Sequence, residues 1–476
     1  MMKRCFTRNI CLLFMIVLMS MTSCARVEQR DQLAVELPAG FSDQGQAPYR
    51  PDWWLTFNDP GLTDVIETAL SGNLSLLVAY DRLQQAQAVA RRTGADRYPE
   101  VSGSGLARES WTDRDESNNV TTLSIGLAAS YEVDLWGRIR AGSEAASLDV
   151  EAGRADLQAA AVSVSAQVAL TWYQIAEIKQ EQELVRRQRE LNEQILAIVT
   201  AQFKAGKVGV ADVMQQRGLI ERSNGELITL TARLHNQEQQ LALLLGLAPG
   251  TGSMPSPEEL VDLPPLPVTG IPADLINSRP DIRSAYASLR AADQRVAEAV
   301  ANQFPRLSLS ADASSGGDSG SDLFSDWAAA LAGNLVGPIF DGGRRRAEVD
   351  RTQAVSSQFF HQYSQTLIDA VAEVEDSLVQ EREQEKLLDN LAVRLKLAQT
   401  TAQRVGDRYR QGVEDYQRVL TALLSLQGLQ TDILRAEQNL IEYRISLYRA
   451  LGGHIDLPEM GIAGAVVNLR AFDRDE

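Results

Sequence analysis

Cysteine and histidine are scarce, with three of each in 476 residues. That is too few for a disulfide framework, and a multi-ligand metal site is improbable. Positive charge is in deficit, 46 Lys and Arg against 63 Asp and Glu, giving a formal net charge of −17. The balance argues against a nucleic-acid binder, which must meet phosphates with cations. Beyond the first thirty residues no run is apolar enough for a membrane-spanning helix, so any crossing has to be made by strands. Proline is missing from two long tracts, Pro99 to Pro249 and Pro338 to Pro458. The 44% of residues that are apolar exceed what a disordered chain carries.

The N-terminus reads as a secretory signal. Lys3, Arg4 and Arg8 precede an apolar run from Ile10 to Met19, too short to span a bilayer, followed by small and polar residues up to Cys24. The Met21-Thr22-Ser23-Cys24 segment resembles a bacterial lipobox, in which cleavage precedes a Cys that carries the lipid. Ordinary cleavage with Cys24 as a bystander is the alternative. Cys5 and Cys11 lie inside the signal, so a chain starting at Cys24 has no internal disulfide.

Proline breaks helix interiors, so the two Pro-free tracts predict long helices separated by an irregular linker, where Pro249, Pro255, Pro257, Pro264, Pro265, Pro267 and Pro272 cluster. Ile139 to Phe203 is rich in Ala, Gln, Glu, Arg and Leu, which favour helix. Apolar positions at Leu184, Leu191, Ile195 and Ile198, and at Leu388, Leu391, Leu395 and Ala398, follow helical, near-heptad steps of a coiled coil. A helix of that length is roughly 100 Å long at about 1.5 Å per residue.

The chain also repeats itself. A shift of 206 positions pairs Tyr80 with Tyr286, Pro99 with Pro305, Arg138 with Arg344, Gly206 with Gly412 and Gly246 with Gly452. One offset held this far predicts two segments with the same order of elements.

Each segment contains a stretch of period two. Leu123, Ile125, Leu127, Ala129, Tyr131 and Val133 alternate with smaller or polar residues, and Val101 to Ser110 is their expected partner across a polar connection, Trp111 to Asn119. In the second segment Leu307, Leu309 and Ala311 are followed, after a Gly/Ser/Asp loop, by Trp327, Ala329, Leu331, Gly333 and Leu335. Four strands cannot close a barrel, so transmembrane hairpins require several copies to share one. A small soluble sheet is the alternative.

Trp53-Trp54-Leu55-Thr56-Phe57-Asn58-Asp59-Pro60-Gly61-Leu62, Arg279-Pro280-Asp281-Ile282-Arg283 with Phe304-Pro305, Asp134-Leu135-Trp136-Gly137-Arg138 and Phe340-Asp341-Gly342-Gly343-Arg344 together resemble outer-membrane efflux lipoproteins of the TolC-like family, the RND-type drug and metal branch. The resemblance implies a mainly α chain with a transmembrane β-barrel. It would be a homotrimer in which long antiparallel helical hairpins form a tunnel and four strands per protomer give twelve. It further implies a lipid-anchored outer-membrane location, with a periplasmic adaptor and an inner-membrane RND-type pump as partners. No catalytic residue, metal or cofactor is expected, only a covalent lipid on Cys24.

By the same resemblance, the turns at Gly206, Lys207, Val208 and Gly209 and at Gly412 and Val413 are periplasmic tips that touch the adaptor. The bare residues allow equally that these glycines only permit the turn. The family narrows its tunnel nearby with inward acids. Here the corresponding second-segment positions read Arg418 and Thr421, which leaves Asp212, Glu414 and Asp415 as candidates. Asp212 is the repeat counterpart of Arg418, and a pair between them, within or between copies, is one way to hold a constriction.

Gly317-Asp318-Ser319-Gly320 looks like a serine-protease segment but has no nearby His, and Ser102-Gly103-Ser104-Gly105 is followed by no phosphate-binding Lys. Past the signal only Met214, Met254 and Met460 remain, so no thioether track is expected. The reading is a passive exit duct for small toxic compounds. A type I secretion duct for polypeptides or a periplasmic coiled-coil scaffold stand as alternatives. The expected organisation is signal 1–23, anchored extension 24–60, first repeat 61–248, linker 249–271, second repeat 272–453 and tail 454–476.

Overall fold

The computed structural model describes residues 36–111, 120–250, 255–257 and 259–458. The signal, Cys24, most of the first hairpin connection and the tail beyond residue 458 lie outside them.

The first series of elements comprises α1 (Pro60–Gly72), α2 (Leu74–Ala95), β1 (Glu100–Ser110), β2 (Val120–Val133), α3 (Arg138–Lys204) and α4 (Val210–Leu244). After the linker come a four-residue helix α5 (Leu275–Ser278), α6 (Pro280–Ala301), β3 (Arg306–Gly317), β4 (Trp327–Val336), α7 (Arg344–Arg410) and α8 (Tyr416–Leu451). The starts of α2 and α6, β1 and β3, α3 and α7, and α4 and α8 all stand 206 residues apart. The two longest helices each have 67 residues. Prolines sit where they do no harm: Pro60 and Pro280 open helices, and Pro99 and Pro305 immediately precede strands.

The chain divides into two compact units, and each draws on both sequence segments. Among its described residues one unit takes 83–153 and 284–364, the other 36–82, 154–283 and 365–458.

The first unit contains a single antiparallel sheet in the order β1-β2-β3-β4. Gly103 faces Leu127, Leu127 faces Ala313 and Leu309 faces Gly333, so the two expected hairpins are joined through β2 and β3. Because paired residues point to the same side, one face carries Val101, Leu123, Ile125, Leu127, Leu307, Leu309, Leu331 and Leu335. The other carries Ser102, Ser104, Ser124, Ser130, Ser308, Ser310, Asp312 and Asn334. Below the sheet, the Trp136 ring stacks on Phe304 at 4.8 Å and its indole N–H donates to the Pro305 carbonyl at 2.6 Å. The Asp134 carboxylate accepts from the Ile139 and Arg140 amides and so starts α3.

In the second unit, Trp53, Phe57, Tyr173 and Tyr448 form a buried aromatic cluster, with Trp53 stacked on Tyr448 at 5.3 Å. Asp59 links this cluster to α1. One carboxylate oxygen accepts the Leu62 amide as the helix cap, and the other accepts the Trp172 indole N–H at 2.8 Å. Gly61 lies so close to the Trp172 ring that a Cβ would stand 2.8 Å from it.

One seam differs from expectation. Leu391 is buried against Leu429 and Ala436, with Leu388, Leu395 and Ala398 alongside, as the heptad pattern requires. On α3, however, Leu191 and Ile198 are each 40% exposed. The buried heptad is Ile178, Val185, Asn192 and Val199, with Glu181 and Gln188 between them. The sequence pattern followed the largest aliphatics, whereas burial follows polar side chains that find partners. Gln188 donates to Gln430 Oε1 and to the Gln427 carbonyl, and Gln216 donates to the Asn192 carbonyl.

Candidate functional site

Helix α3 ends at Lys204, and the chain reverses through five residues into α4. The Gly206 amide bonds the Phe203 carbonyl and the Lys207 amide bonds the Gln202 carbonyl, the paired closure that follows a left-handed residue. Gly206 has φ +71° and Gly412, at the matching place between α7 and α8, has φ +77°. Neither glycine has any atom within 4 Å of where a Cβ would stand. Glycine is required here for conformation, and the space beside it is open.

The residues expected at the tips divide into two kinds. Lys207, Gly209 and Val413 are exposed, Val413 at 63%. Val208 is half-buried against Val199, Val213, Tyr409 and Tyr416, a cluster that joins the ends of both hairpins. Tyr409 and Tyr416 lie 6.1 Å apart. Burial, reinforced by Tyr409 and Asp212, pushes the Tyr416 hydroxyl up to about 12. It therefore stays a neutral donor, to Gln216 Oε1 at 2.5 Å.

The constriction candidates are mostly occupied by local bonds. Asp212 accepts the Gly209 amide at 3.2 Å, and Asp415 accepts the Arg418 amide at 2.9 Å. Two aspartates thus cap α4 and α8 from different positions of the first turn. Thr421 donates back to the Gln417 carbonyl. Among the described residues no ion pair joins Asp212 to Arg418, so that pairing is not made within the chain. Arg418 instead reaches Glu414 at 3.1 Å, and Arg408 reaches the same carboxylate at 3.1 Å. The local pair wins because Glu414 sits in the turn just before α8, within reach of Arg408 from the end of α7 and of Arg418 from the first turn of α8.

Sequence reasoning missed a deeper charged cluster. Glu181 has no exposed surface and receives Arg435 at 2.7 Å and Arg233 at 3.3 Å. Glu177 lies one turn away, 3.7 Å from Arg233. Burial, then the adjacent Glu181 carboxylate, pushes Glu177 up to about 7. Glu177, Arg233, Arg435, Gln174 and Gln438 line a polar cavity of about 320 Å³. The available signal was two like charges four residues apart on a helix, which repel unless something else holds them.

The motif Arg279-Pro280-Asp281 is a second lock. Arg279 binds Asp281 at 3.0 and 2.7 Å, Glu373 at 2.9 Å and the Ala450 carbonyl at 2.8 Å, joining α6, α7 and the end of α8.

The chain thus combines long helices with one four-stranded antiparallel sheet that is apolar on one face and polar on the other. Known proteins share this combination. The outer membrane efflux protein model matches twice, at residues 65–247 and 271–453. The chain is 31% identical over 439 residues to the pyoverdine export outer membrane protein OpmQ of Pseudomonas aeruginosa, covering 90% of this chain and 92% of that one. It is 29% identical over 467 residues to the cation efflux system protein CusC of Escherichia coli, covering 92% and 98%. Among solved structures, the outer-membrane channel OprN superimposes with a TM-score of 0.81 at 26% identity, over 90% of this chain and 99% of that one. A crystal structure of CusC also gives 0.81, at 28% identity, over 90% and 100%. This chain belongs to the outer membrane efflux protein family.

Proposed function

We infer that the protein is the outer-membrane exit duct of a tripartite efflux system, passively conducting small toxic compounds. Three copies would share one twelve-stranded barrel, and their helical hairpins would line a tunnel in the periplasm. A covalent lipid on Cys24 would add an anchor. An adaptor would meet the tips at Gly206, Lys207, Gly209, Gly412 and Val413, and an RND-type pump would supply the energy. Two internal repeats, each a helical hairpin with a β-hairpin, account for the common spacing of 206 residues between elements.

The observation that carries this reading is the sheet. It is apolar on one face and polar on the other, and among the described residues its edges β1 and β4 have no partner strand. An unpaired edge in hydrocarbon leaves backbone groups without hydrogen bonds, so only closure through further copies makes such a sheet stable in lipid. The polar face then lines the passage. Leu191 and Ile198, exposed in the single chain, would be covered between copies.

Native mass spectrometry in detergent and planar-bilayer recording test this directly. A trimer with discrete conductance steps is expected. Monomers without conductance would overturn the reading.

A further inference from the structure

The chain itself specifies how the open edges of its sheet meet. Ten of the eleven pairs across β1 and β2 recur across β3 and β4 with both partners moved by 206 positions: Glu100–Ser130 becomes Arg306–Val336, and Gly103–Leu127 becomes Leu309–Gly333. The two hairpins are therefore equivalent in register. The β2–β3 ladder then shows how the second strand of one hairpin meets the first strand of the next. Moving β2 to β4 adds 206, and moving β3 to β1 subtracts 206. Leu127–Ala313 translates to Gly333–Ala107, and Val133–Leu307 to Ile339–Val101.

Two further observations agree. A shift by one residue would turn the apolar side of β4, with Leu331 and Leu335, to the polar side of β1. The translated register keeps Leu331 and Leu335 on the same face as Val101 and Ala107, with Leu331 opposite Glu109 and Leu335 opposite Gly105. Shifts by two residues keep the faces but not the ends. Within the chain, Trp136 covers Phe304 and bonds the Pro305 carbonyl at the foot of β3. Tyr98 and Pro99 stand at the same place at the foot of β1, and Tyr98 is 73% exposed. Just past β4, Ile339 and Phe340 are 102% and 91% exposed. The position matching Trp136 is Gly342, so the covering side chain has to come from this pair.

We propose that β4 of one copy pairs antiparallel with β1 of a second copy with Gly333 opposite Ala107, and that Ile339 and Phe340 cover Tyr98 of that second copy. The proposal rests on the shared-barrel reading and adds its register, which that reading leaves open.

Disulfide trapping separates the two. Full-length A107C/G333C and L106C/N334C are expressed in outer membranes and oxidised. Adjacent pairs in an antiparallel ladder alternate between wide and close spacing, so one of the two suits a disulfide. The shifted pairs A107C/L331C and A107C/L335C place the thiols diagonally, about 7 Å apart or more. The unsubstituted chain, with Cys5, Cys11 and Cys24, is the blank. The expected result is covalent oligomers from a register pair, on the order of tenfold above the shifted pairs. Stronger linking by a shifted pair, or trimers that link through no pair, overturns the register and leaves the barrel standing. Monomers throughout overturn both.

Discussion

Arg435 on α8 holds its guanidinium 2.7 Å from Glu181 on α3, a carboxylate with no exposed surface. The two residues belong to different helical hairpins, so the pair ties those hairpins together. A buried charge deprived of one partner is destabilising, whereas removal of both partners is nearly neutral. Arg435→Met is expected to lower stability by about 1–3 kcal/mol, since Arg233 still reaches Glu181 and Arg435 is itself half exposed. Glu181→Leu combined with Arg435→Met restores part of the loss. Thermal unfolding followed by helical circular dichroism in detergent checks both outcomes.

Glu177 gives this region a pH dependence. Its carboxyl is raised to about 7 by burial and by Glu181, and the charges facing it are Glu181, Arg233 and Arg435. A raised carboxyl binds its proton more tightly when folded than when unfolded. Its stabilising contribution is therefore full below the unfolded value near about 4.3 and is lost as pH rises through about 7. Glu177→Gln mimics the protonated form. The variant is expected to match the parent near pH 4.5 and to melt higher than the parent above pH 7. Equal melting temperatures at pH 8 would show that Glu177 titrates normally.

Arg279 donates from three guanidinium nitrogens to Asp281, Glu373 and the Ala450 carbonyl. Lys has the charge without the fork and cannot reproduce that set. Arg279→Ala is expected to destabilise by about 2–4 kcal/mol, and Arg279→Lys to recover less than half of it. Exchange of the Ala450 and Leu451 region, followed by hydrogen–deuterium exchange mass spectrometry, should rise in both variants.

Much of this architecture was legible because long-range chemistry repeats local signals. Proline-free tracts marked α3 and α7, alternation marked the four strands, and the offset of Gly206 and Gly412 located both turns. The α3 seam was not legible: hydropathy ranks Leu191 and Ile198 above Asn192 and Glu181, yet the latter pair is the buried one, Glu181 held by Arg233 and Arg435 and the Asn192 side-chain oxygen facing Gln216 and Gln427 at 3.4 Å. Within one chain, Asp212 and Arg418 stay apart for a related reason. Equivalent positions in a repeat share backbone geometry, but each side chain takes its nearest partner, here Gly209 and Glu414. The joining of the hairpins through β2 and β3 needed coordinates, since alternation fixes faces and not neighbours.

At the tips, conformation and contact can be separated. Gly206→Ala places a Cβ on a left-handed residue and is expected to destabilise by about 1 kcal/mol, while Gly206→Asn, which tolerates that conformation, is expected to lose less. Neither clashes within the chain. If the adaptor touches this turn, Gly206→Asn and Val413→Glu retain their melting temperatures but lower drug resistance in an efflux-dependent strain. Unchanged resistance in both variants leaves the glycines as turn residues alone.

Among the constriction candidates, Arg418 has a side chain that is 69% exposed, while Glu414, held between Arg408 and Arg418, is 11% exposed. Arg418→Glu replaces the attractive pair with Glu414, in the turn before α8, by a repulsive one, and among the described residues leaves Arg408 as the cation on Glu414. Asp415 still caps α8 through the residue 418 amide, so the helix start survives. The first turn is then expected to splay and single-channel conductance in planar bilayers to rise, most clearly at low salt, where screening is weakest. Asp212→Arg removes the carboxylate that accepts the Gly209 amide, so it frays α4 without touching Glu414. A rise in Arg418→Glu alone places the barrier on the second hairpin. Conductance unchanged in both variants means these charges do not narrow the passage.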